Sequence, residues 1–277
     1  MTPMHRTVLV TGAGVGAGTG LALASAVEAA RLGFRVVATV PDPMHTPAVL
    51  AAAAEAGVAA SVDVATLDAR DDGAIAELVG RVEPWAVVCS PGSMAVGLIE
   101  DVPIDVARDQ LEATLIAPAR LAQQVLPGMR RRGGGRLVVV SSPLGESAVP
   151  LQGWSGACRR GLVSLCYALR LELVEDAVDV VLVEPDADTA SSSDAREELV
   201  DRRSRSVRPE AYDRATAALD AAGDRAAAPA EIADVVGQVL RAAHPRFRYG
   251  TPTAARSGIT RLVPTSLRDQ FRTVAGL

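Results

Sequence analysis

Short apolar runs alternate with longer helical segments along the first two thirds of the chain. The apolar runs are rich in Val and Leu and end at Gly, Pro or polar residues, which predicts strands at 7–10, 35–40, 60–64, 86–89, 136–141 and 178–183. The segments between them predict helices up to about residue 32 and over 47–56, 71–82, 104–131 and 154–175. Because such alternation is typical of parallel βαβ units, the pattern predicts an α/β fold with a doubly wound parallel sheet.

The last third of the chain has a different pattern. Residues 189–228 are polar and rich in Ser, Asp, Arg and Glu, which predicts a mobile, partly helical, lid-like insertion over a pocket. Pro229 is a natural helix start, and the helix is predicted to reach about Ala243 before a seventh strand at 247–251. No linker interrupts the pattern, so residues 1–277 are predicted to form one domain with helices on both faces of the sheet.

Composition limits the classes of protein to which the chain can belong. Hydrophobic residues make up 49% of the chain and aromatic residues only 3%, so we expect a core of Ala, Val and Leu. A net charge of −5 argues against a nucleic-acid or anionic membrane surface. No apolar run approaches the roughly 18 residues of a membrane span, and no signal-peptide pattern is present. The three cysteines, Cys89, Cys158 and Cys166, do not indicate a disulfide framework, and a cytoplasmic location is expected.

A glycine-rich loop follows the first predicted strand and opens the first predicted helix. Its sequence from Thr11 to Gly20 is TGAGVGAGTG. Glycines permit a tight turn and let a pyrophosphate approach main-chain N–H groups at a helix N-terminus. The position of the loop therefore predicts a Rossmann-type dinucleotide site. The motif fits in two registers, with glycines at 12, 16 and 18 or at 14, 18 and 20, and a glycine-rich turn without a ligand remains the alternative.

Three further motifs follow the glycine loop. Leu67-Asp68 comes after the third strand, the segment 136–142 reads RLVVVSS, and Val183-Glu184-Pro185 comes at the end of the sixth strand. With the glycine loop, read as T-G-x-x-x-G-x-G, they resemble the short-chain dehydrogenase/reductase family over about residues 6–190. In that family the corresponding segments contact adenine, carry a catalytic serine and lie beside the nicotinamide. The length of the insertion is similar to that of hydroxysteroid- and retinol-type members.

The resemblance implies a nicotinamide cofactor, NAD or NADP. The family's cofactor positions fall on Thr11, Gly12, Gly14, Gly16, Gly18, Asp68, Gly92 and Thr189. The arginine that often follows the second strand in NADP users is replaced by Pro41, and Asp42 comes next. Asp42 either accepts a hydrogen bond from a ribose hydroxyl, which favours NAD, or caps the following turn.

The family's catalytic tetrad of Asn, Ser, Tyr and Lys is largely replaced. Its positions fall on Thr114, Ser142, Trp154 and Cys158, so the resemblance retains only the serine. In the family the tyrosine transfers a proton at the substrate carbonyl, and the lysine lowers the pKa of that tyrosine. An indole N–H donates a hydrogen bond but does not transfer its proton, and a thiol supplies no fixed positive charge. Because the chain contains no lysine, a shift of the alignment does not restore the pair.

Each remaining candidate has a chemical and a structural interpretation. Ser142 either orients a substrate oxygen or caps the backbone at a strand end, and Trp154 either lines a substrate pocket or packs in the core. Cys158 is either a nucleophile or an inert buried thiol, and no histidine lies near it in the sequence. Asp186 is either a general base or a solvated loop residue. No metal-ligand cluster is predicted.

Three hypotheses of function follow. The first is a non-catalytic binding protein or partner subunit, and the second is a repurposed non-redox enzyme acting on a small apolar metabolite. The third is an unconventional NAD(P)-dependent oxidoreductase in which Ser142 and water supply the proton. The resemblance also implies self-association, or pairing with an active relative, through the helices at 104–131 and 154–175.

Overall fold

The computed structural model of the chain contains one open parallel sheet. It describes residues 6–13, 19–91, 95–141, 150–185, 193–222 and 228–250. Within these residues the strands are β1 (Thr7–Thr11), β2 (Arg35–Val40), β3 (Val62–Thr66), β4 (Ala86–Cys89), β5 (Gly135–Val140), β6 (Val178–Glu184) and β7 (Arg248–Gly250). Their spatial order is β3-β2-β1-β4-β5-β6-β7, and every pair is parallel. The predicted single α/β sheet of the doubly wound, Rossmann type is confirmed.

Helices connect the strands and cover both faces of the sheet. They are α1 (Thr19–Arg31), α2 (Thr46–Glu55), α3 (Asp72–Val82), α4 (Ile104–Leu111), α5 (Ala117–Arg131), α6 (Gly153–Glu172), α7 (Ser193–Arg205), α8 (Pro209–Ala222) and α9 (Pro229–Arg241). The long helix predicted over 104–131 is divided, because a π-helical turn at Glu112–Ile116 separates α4 from α5. The third strand starts two residues later than predicted, since Ala59–Ser61 forms a 3-10 turn before it.

The core consists of two apolar layers, one on each face of the sheet. Val8 and Val10 belong to the layer that includes α1, α2 and α9, whereas Leu9 between them belongs to the layer under α3, α5 and α6. Side chains alternate between the two faces of a strand, so a strand buried on both faces requires an unbroken apolar run. This requirement explains why the Val- and Leu-rich runs predicted the strands closely.

The strand order reverses direction between β1 and β4. From β1 the chain proceeds outward to β2 and β3, and it then returns to form β4 on the other side of β1. The pair is aligned so that Thr11, at the end of β1, lies beside Cys89, at the end of β4. In open α/β sheets ligands bind in the crevice at the carboxyl ends of the strands where this reversal occurs. The topology therefore places a candidate site next to Thr11 and Cys89.

Over the described residues 193–222 the polar insertion forms the helices α7 and α8, which confirms that it is partly helical. Tyr212 of α8 is only 1% exposed and packs in an apolar cluster with Val96, Leu151 and Leu199. The insertion is therefore docked on the segment that follows β4, and its motion as a lid stays a prediction.

Candidate functional site

A cleft of about 380 Å³ lies at the carboxyl ends of the central strands. Its described lining comes from the ends of β1 and β2, the turn Leu67–Arg70 after β3, the segment Cys89–Pro91 after β4, and one face of α4 and α5. These elements surround the point at which the strand order reverses. The cleft thus occupies the position at which open α/β sheets bind their ligands.

The first turn of the glycine loop brings the backbone against the loop after β4. Gly12 has φ +82°, a conformation that favours glycine, and a Cβ there would lie 3.3 Å from the carbonyl oxygen of Ser90. The N–H of Ala13 donates to the carbonyl oxygen of Thr39 at 2.8 Å, which ties the loop to the end of β2. The wall of the cleft at Gly12 is therefore bare backbone that any side chain would obstruct.

Two carboxylates predicted near the adenosine end of a cofactor have different positions. Asp68 lines the cleft and forms an ion pair with Arg70, whose hydrogen bonds lower the pKa of the Asp68 carboxyl. Asp42 lies just beyond Pro41, and its carboxylate accepts a hydrogen bond from the N–H of Met44 at 2.8 Å. The structure thus contains the capping contact of Asp42, while its contact with a ribose stays a prediction.

Trp154 and Cys158, to which the resemblance assigns the family's tyrosine and lysine positions, lie four residues apart on α6. Trp154 is half-buried against an apolar cluster of Ala95, Val102 and Ala107, and its Nε1 is buried without a hydrogen-bond partner among the described residues. Cys158 is fully buried, and this burial raises the pKa of its thiol despite the opposing charge of Arg159. The indole of Trp154 does not transfer its proton at neutral pH, and the neutral thiol of Cys158 supplies no positive charge. Of the two interpretations of Cys158, the geometry favours the inert buried thiol.

Thr114, to which the resemblance assigns the family's asparagine position, lies within the π-helical turn. Thr114 is 1% exposed, and its hydroxyl oxygen accepts a hydrogen bond from Nε2 of Gln110, one turn earlier. Oε1 of Gln110 in turn accepts from the N–H of Ala95 at 2.6 Å, which fixes the segment after β4 against α4. π-helical turns occur often at functional sites. The sequence analysis did not predict Gln110, although its spacing of four residues from Thr114 puts both on one helix face.

Two buried serines were also missed. Ser141 follows β5 and Ser155 follows Trp154 on α6, with exposures of 8% and 1%. Neither hydroxyl has a hydrogen-bond partner within the described residues. Buried hydroxyls normally have a protein or water partner, so these two retain hydrogen-bonding capacity for a water or a ligand.

The other two cysteines, Cys89 and Cys166, are core residues. Burial raises the pKa of Cys89 to about 11 and the pKa of Cys166 to about 12, so both thiols are protonated at neutral pH. In the part of the chain that the structure describes, no group of three metal-binding side chains occurs. The helices within the same ranges include none long and apolar enough to cross a membrane.

Several predicted site residues lie outside the described residues. They are Gly14, Gly16, Gly18, Gly92, Ser142, Asp186 and Thr189. Their roles stay predictions.

Comparison with known proteins identifies the family. Residues 6–199 match the family model described as short chain dehydrogenase. The human 17-beta-hydroxysteroid dehydrogenase type 1 is 31% identical over 258 residues, which cover 90% of this chain and 78% of the human protein. An uncharacterized oxidoreductase of Bacillus subtilis, YusZ, is 27% identical over 245 residues, which cover 86% of each protein. The chain therefore belongs to the short-chain dehydrogenase/reductase family.

A solved structure agrees with this assignment at the level of the fold. A metagenomic short-chain oxidoreductase in complex with NADP superposes with a TM-score of 0.67 and 22% sequence identity. The likeness covers 89% of this chain and 96% of the other.

Proposed function

We propose that the protein binds a nicotinamide dinucleotide in the cleft but lacks the Tyr–Lys proton transfer of its family. Its function is then that of a dinucleotide-binding protein or partner subunit, with carbonyl reduction slow or absent. The observation that carries the proposal is the pair of side chains on α6. Cys158 is buried, Trp154 is half-buried with a buried Nε1, and neither side chain can replace the tyrosine acid or the lysine cation.

Binding of the dinucleotide is supported by the residues that line the cleft. Gly12 offers a backbone surface that a Cβ would fill, and the cleft lies where the strand order reverses. Thr11, Gly12 and Asp68 are the described residues that would hold the cofactor. When bound, a nicotinamide cofactor supplies the hydride, and the protein orients it and manages the proton. The metagenomic relative holds NADP in the same fold, which favours this class of ligand.

The expected loss of rate follows from the missing acid. A positioned general acid contributes about 10²–10⁴-fold to a proton-transfer step. The test is an absorbance assay of NADH and NADPH oxidation with a panel of apolar ketones and aldehydes, using a family member with an intact Tyr–Lys pair as reference. We expect rates lower than the reference by about that factor. Turnover comparable to the reference would refute the proposal.

A gain-of-function variant tests whether the missing Tyr–Lys pair limits carbonyl reduction. Trp154→Tyr combined with Cys158→Lys restores the pair four residues apart on one helix face. We expect this variant to reduce the carbonyl panel faster than either single variant, because proton transfer needs both groups. Equal rates in all three would show that the missing pair does not limit the reaction.

A second candidate function is an oxidoreductase that uses a hydroxyl and water in place of the tyrosine. The buried, unpartnered hydroxyls of Ser141 and Ser155 favour it, as does the similarity to a hydroxysteroid dehydrogenase. Ser142 is the position that the family resemblance assigns to this role. Ser142→Ala and Ser155→Ala should then each depress the residual turnover, and unchanged turnover in both would exclude this candidate.

The substrate and partners belong to the same proposal. The proposed substrate class is a small apolar metabolite, and the apolar lining of the cleft at Leu67, Ala113 and Ala117 supports it. Pairing with a second copy or with an active relative is supported by two exposed apolar side chains, Ile116 and Leu171, which are 43% and 42% exposed. Non-redox chemistry on such a metabolite stays a prediction.

A further inference from the structure

A groove of about 400 Å³ follows α1 on the face of the sheet opposite α5 and α6. Its floor is the outer side of α1, where Leu23, Ala24 and Val27 are half-buried. Its lining on α1 extends from Gly20 to Arg31, a distance of about 17 Å along the helix axis. Small side chains of α2 and α9 form the two walls, namely Ala52, Ala56, Ala230 and Ala233. Because these side chains are short, apolar surface of α1 stays open to solvent between the two neighbouring helices.

The rim of the groove is acidic. Glu28 of α1, Glu55 of α2 and Asp234 of α9 contribute carboxylates, and Arg31 is the cation of the described lining. Within the described residues no ion pair includes any of the three carboxylates. The groove therefore suits an apolar helix face that carries basic side chains at its edge.

The sequence after β7 contains a segment with this pattern. It lies outside the described residues and reads SLRDQFRTVAG from Ser266. Leu267, Phe271 and Val274 recur at the i, i+4 and i+7 positions of one helix face. Ser266 opens an S-x-x-D capping box, and Gly276 is a typical helix end. The sequence thus predicts a short amphipathic helix.

The charge of this part of the chain is complementary to the groove. Residues 251–277 contain four arginines and one aspartate. Arg268 and Arg272 are one turn apart and lie roughly 100–130° around the predicted helix from the centre of its apolar face. Two cations at the edge of the apolar face match the acidic rim.

The segment is also close enough to reach the groove. β7 ends with Gly250 at the carboxyl edge of the sheet, and α9 begins at the same edge, where a Cβ on Gly20 would lie 3.6 Å from Cγ of Pro229. Residues 251–265 span up to about 50 Å when extended. A helix over 267–275 is about 13 Å long, which is shorter than the groove.

We propose that residues 266–275 dock in this groove of the same chain as an amphipathic helix. Leu267, Phe271 and Val274 then cover the half-buried side of α1, and the two arginines lie at the acidic rim. Docking removes both apolar surfaces from water, which is its driving force. The proposal is independent of dinucleotide binding, although α1 is the helix that the glycine loop opens.

The test measures how fast a thiol in the groove reacts with N-ethylmaleimide in the full chain. Ala24→Cys places the thiol on the floor of the groove, and Ala54→Cys places it at an exposed position of α2 outside the groove. The three native thiols are buried and react slowly. Phe271→Ala removes the central apolar side chain of the docked helix, and Thr273→Ala, on its polar face, is the matched control. Thermal unfolding of each variant verifies that it is folded.

We expect Ala24→Cys to react about tenfold faster or more when Phe271→Ala is added, because undocking exposes the thiol. Arg268→Glu combined with Arg272→Glu should also accelerate the reaction, since it reverses the charge that faces the rim. Thr273→Ala should leave the rate unchanged. Because each comparison is made within one cysteine variant, the effect of the rim carboxylates on the thiol cancels.

The rate for Ala54→Cys should be the same in every background. Protection of Ala24→Cys that is independent of protein concentration and is lost in Phe271→Ala would support docking within one chain. An unchanged rate in Phe271→Ala would overturn the proposal, whether the groove is open or covered by another element. Protection that increases with protein concentration would also overturn it, in favour of the same segment of a second copy.

Discussion

The hydroxyl of Tyr212 donates a hydrogen bond to Oδ2 of Asp101 at 2.8 Å and joins the insertion to the segment after β4. The same hydroxyl oxygen accepts from the N–H of Leu98 at 3.1 Å. Arg202 of α7 donates to the carbonyl oxygen of Asp101, so both helices of the insertion contact one short segment. That segment also holds Val102, against which Trp154 packs. The insertion therefore stabilises the segment against which Trp154 packs.

Tyr212→Phe should lower the free energy of unfolding. The change leaves the partly buried N–H of Leu98 without its acceptor and the Asp101 carboxylate without the hydroxyl donor, which costs about 1–2 kcal/mol. Chemical denaturation measures the loss. Tyr249→Phe is the control, because the Tyr249 hydroxyl accepts only an exposed hydrogen bond from the N–H of Arg246 among the contacts described, and the change there should be much smaller. Equal losses in both variants would contradict the anchoring role of Tyr212.

The ion pair between Arg136 and Asp179 should contribute strongly to stability. Arg136 is 4% exposed, and its guanidinium contacts Asp179 at 2.7 Å, the carbonyl oxygen of Val239 and the ring of Trp85. Asp179→Asn removes the counter-charge of the buried cation, and because the Asp179 side chain is 35% exposed, the cost in denaturant unfolding should be about 1–2 kcal/mol.

The exposed pair of Arg35 and Asp63 provides the control for that measurement. Its side chains are 72% and 71% exposed, and their shortest contact is 3.6 Å. Asp63→Asn should therefore change the free energy of unfolding by less than about 0.5 kcal/mol. A similar cost for both substitutions would show that burial does not strengthen the Arg136 pair.

The buried thiols should make the protein less stable in alkali. The pKa of Cys89 is raised by burial from 9.0 to about 11, so the folded state favours the neutral thiol. The resulting stabilisation is complete below pH 9.0 and is lost as the pH rises through about 11. The free energy of unfolding should therefore fall between pH 9 and about pH 11, and less steeply in Cys89→Ala. Val88→Ala, a core truncation on the same strand without a thiol, should keep the slope of the unaltered protein.

Gly12→Ala should weaken dinucleotide binding by about tenfold or more, because a methyl group would enter the cleft wall beside Ser90. Gly57→Ala controls for backbone strain. Gly57 also has a positive φ, +72°, but a Cβ there meets nothing within 4 Å. Calorimetric titration should give normal affinity for Gly57→Ala, with a loss of stability of about 1 kcal/mol. Similar affinities for both variants would place the ligand away from Gly12.

Much of the fold was predictable because of how its strands are buried. Val8 and Val10 pack in one core layer and Leu9 packs in the other. An unbroken apolar run of this kind is typical of a strand that is buried on both faces. Boundaries set by hydrogen bonds were harder to predict. The 3-10 turn at Ala59–Ser61 depends on the hydrogen bond from the N–H of Ser61 to the carbonyl oxygen of Val58. The residue types in this segment do not predict that bond.

The candidate site was predictable only where a motif marks it. Asp68 was found through its motif, whereas Arg70 was not, because a contact between residues two apart in a turn depends on the local backbone. Ser155 and Gln110 were missed for a related reason: their importance lies in burial and in hydrogen bonding, and tertiary packing sets both. The absence of a Tyr–Lys pair could be recognised without the structure, since the chain contains no lysine.

The central claim is that the cleft binds a nicotinamide dinucleotide although the Tyr–Lys pair is absent. The most direct measurement is calorimetric titration of the purified protein with NAD⁺, NADH, NADP⁺ and NADPH. The account predicts that at least one of the four binds with a Kd of about 1–100 μM, or roughly −8 to −5.5 kcal/mol. No heat of binding for any of them at millimolar concentration would contradict it.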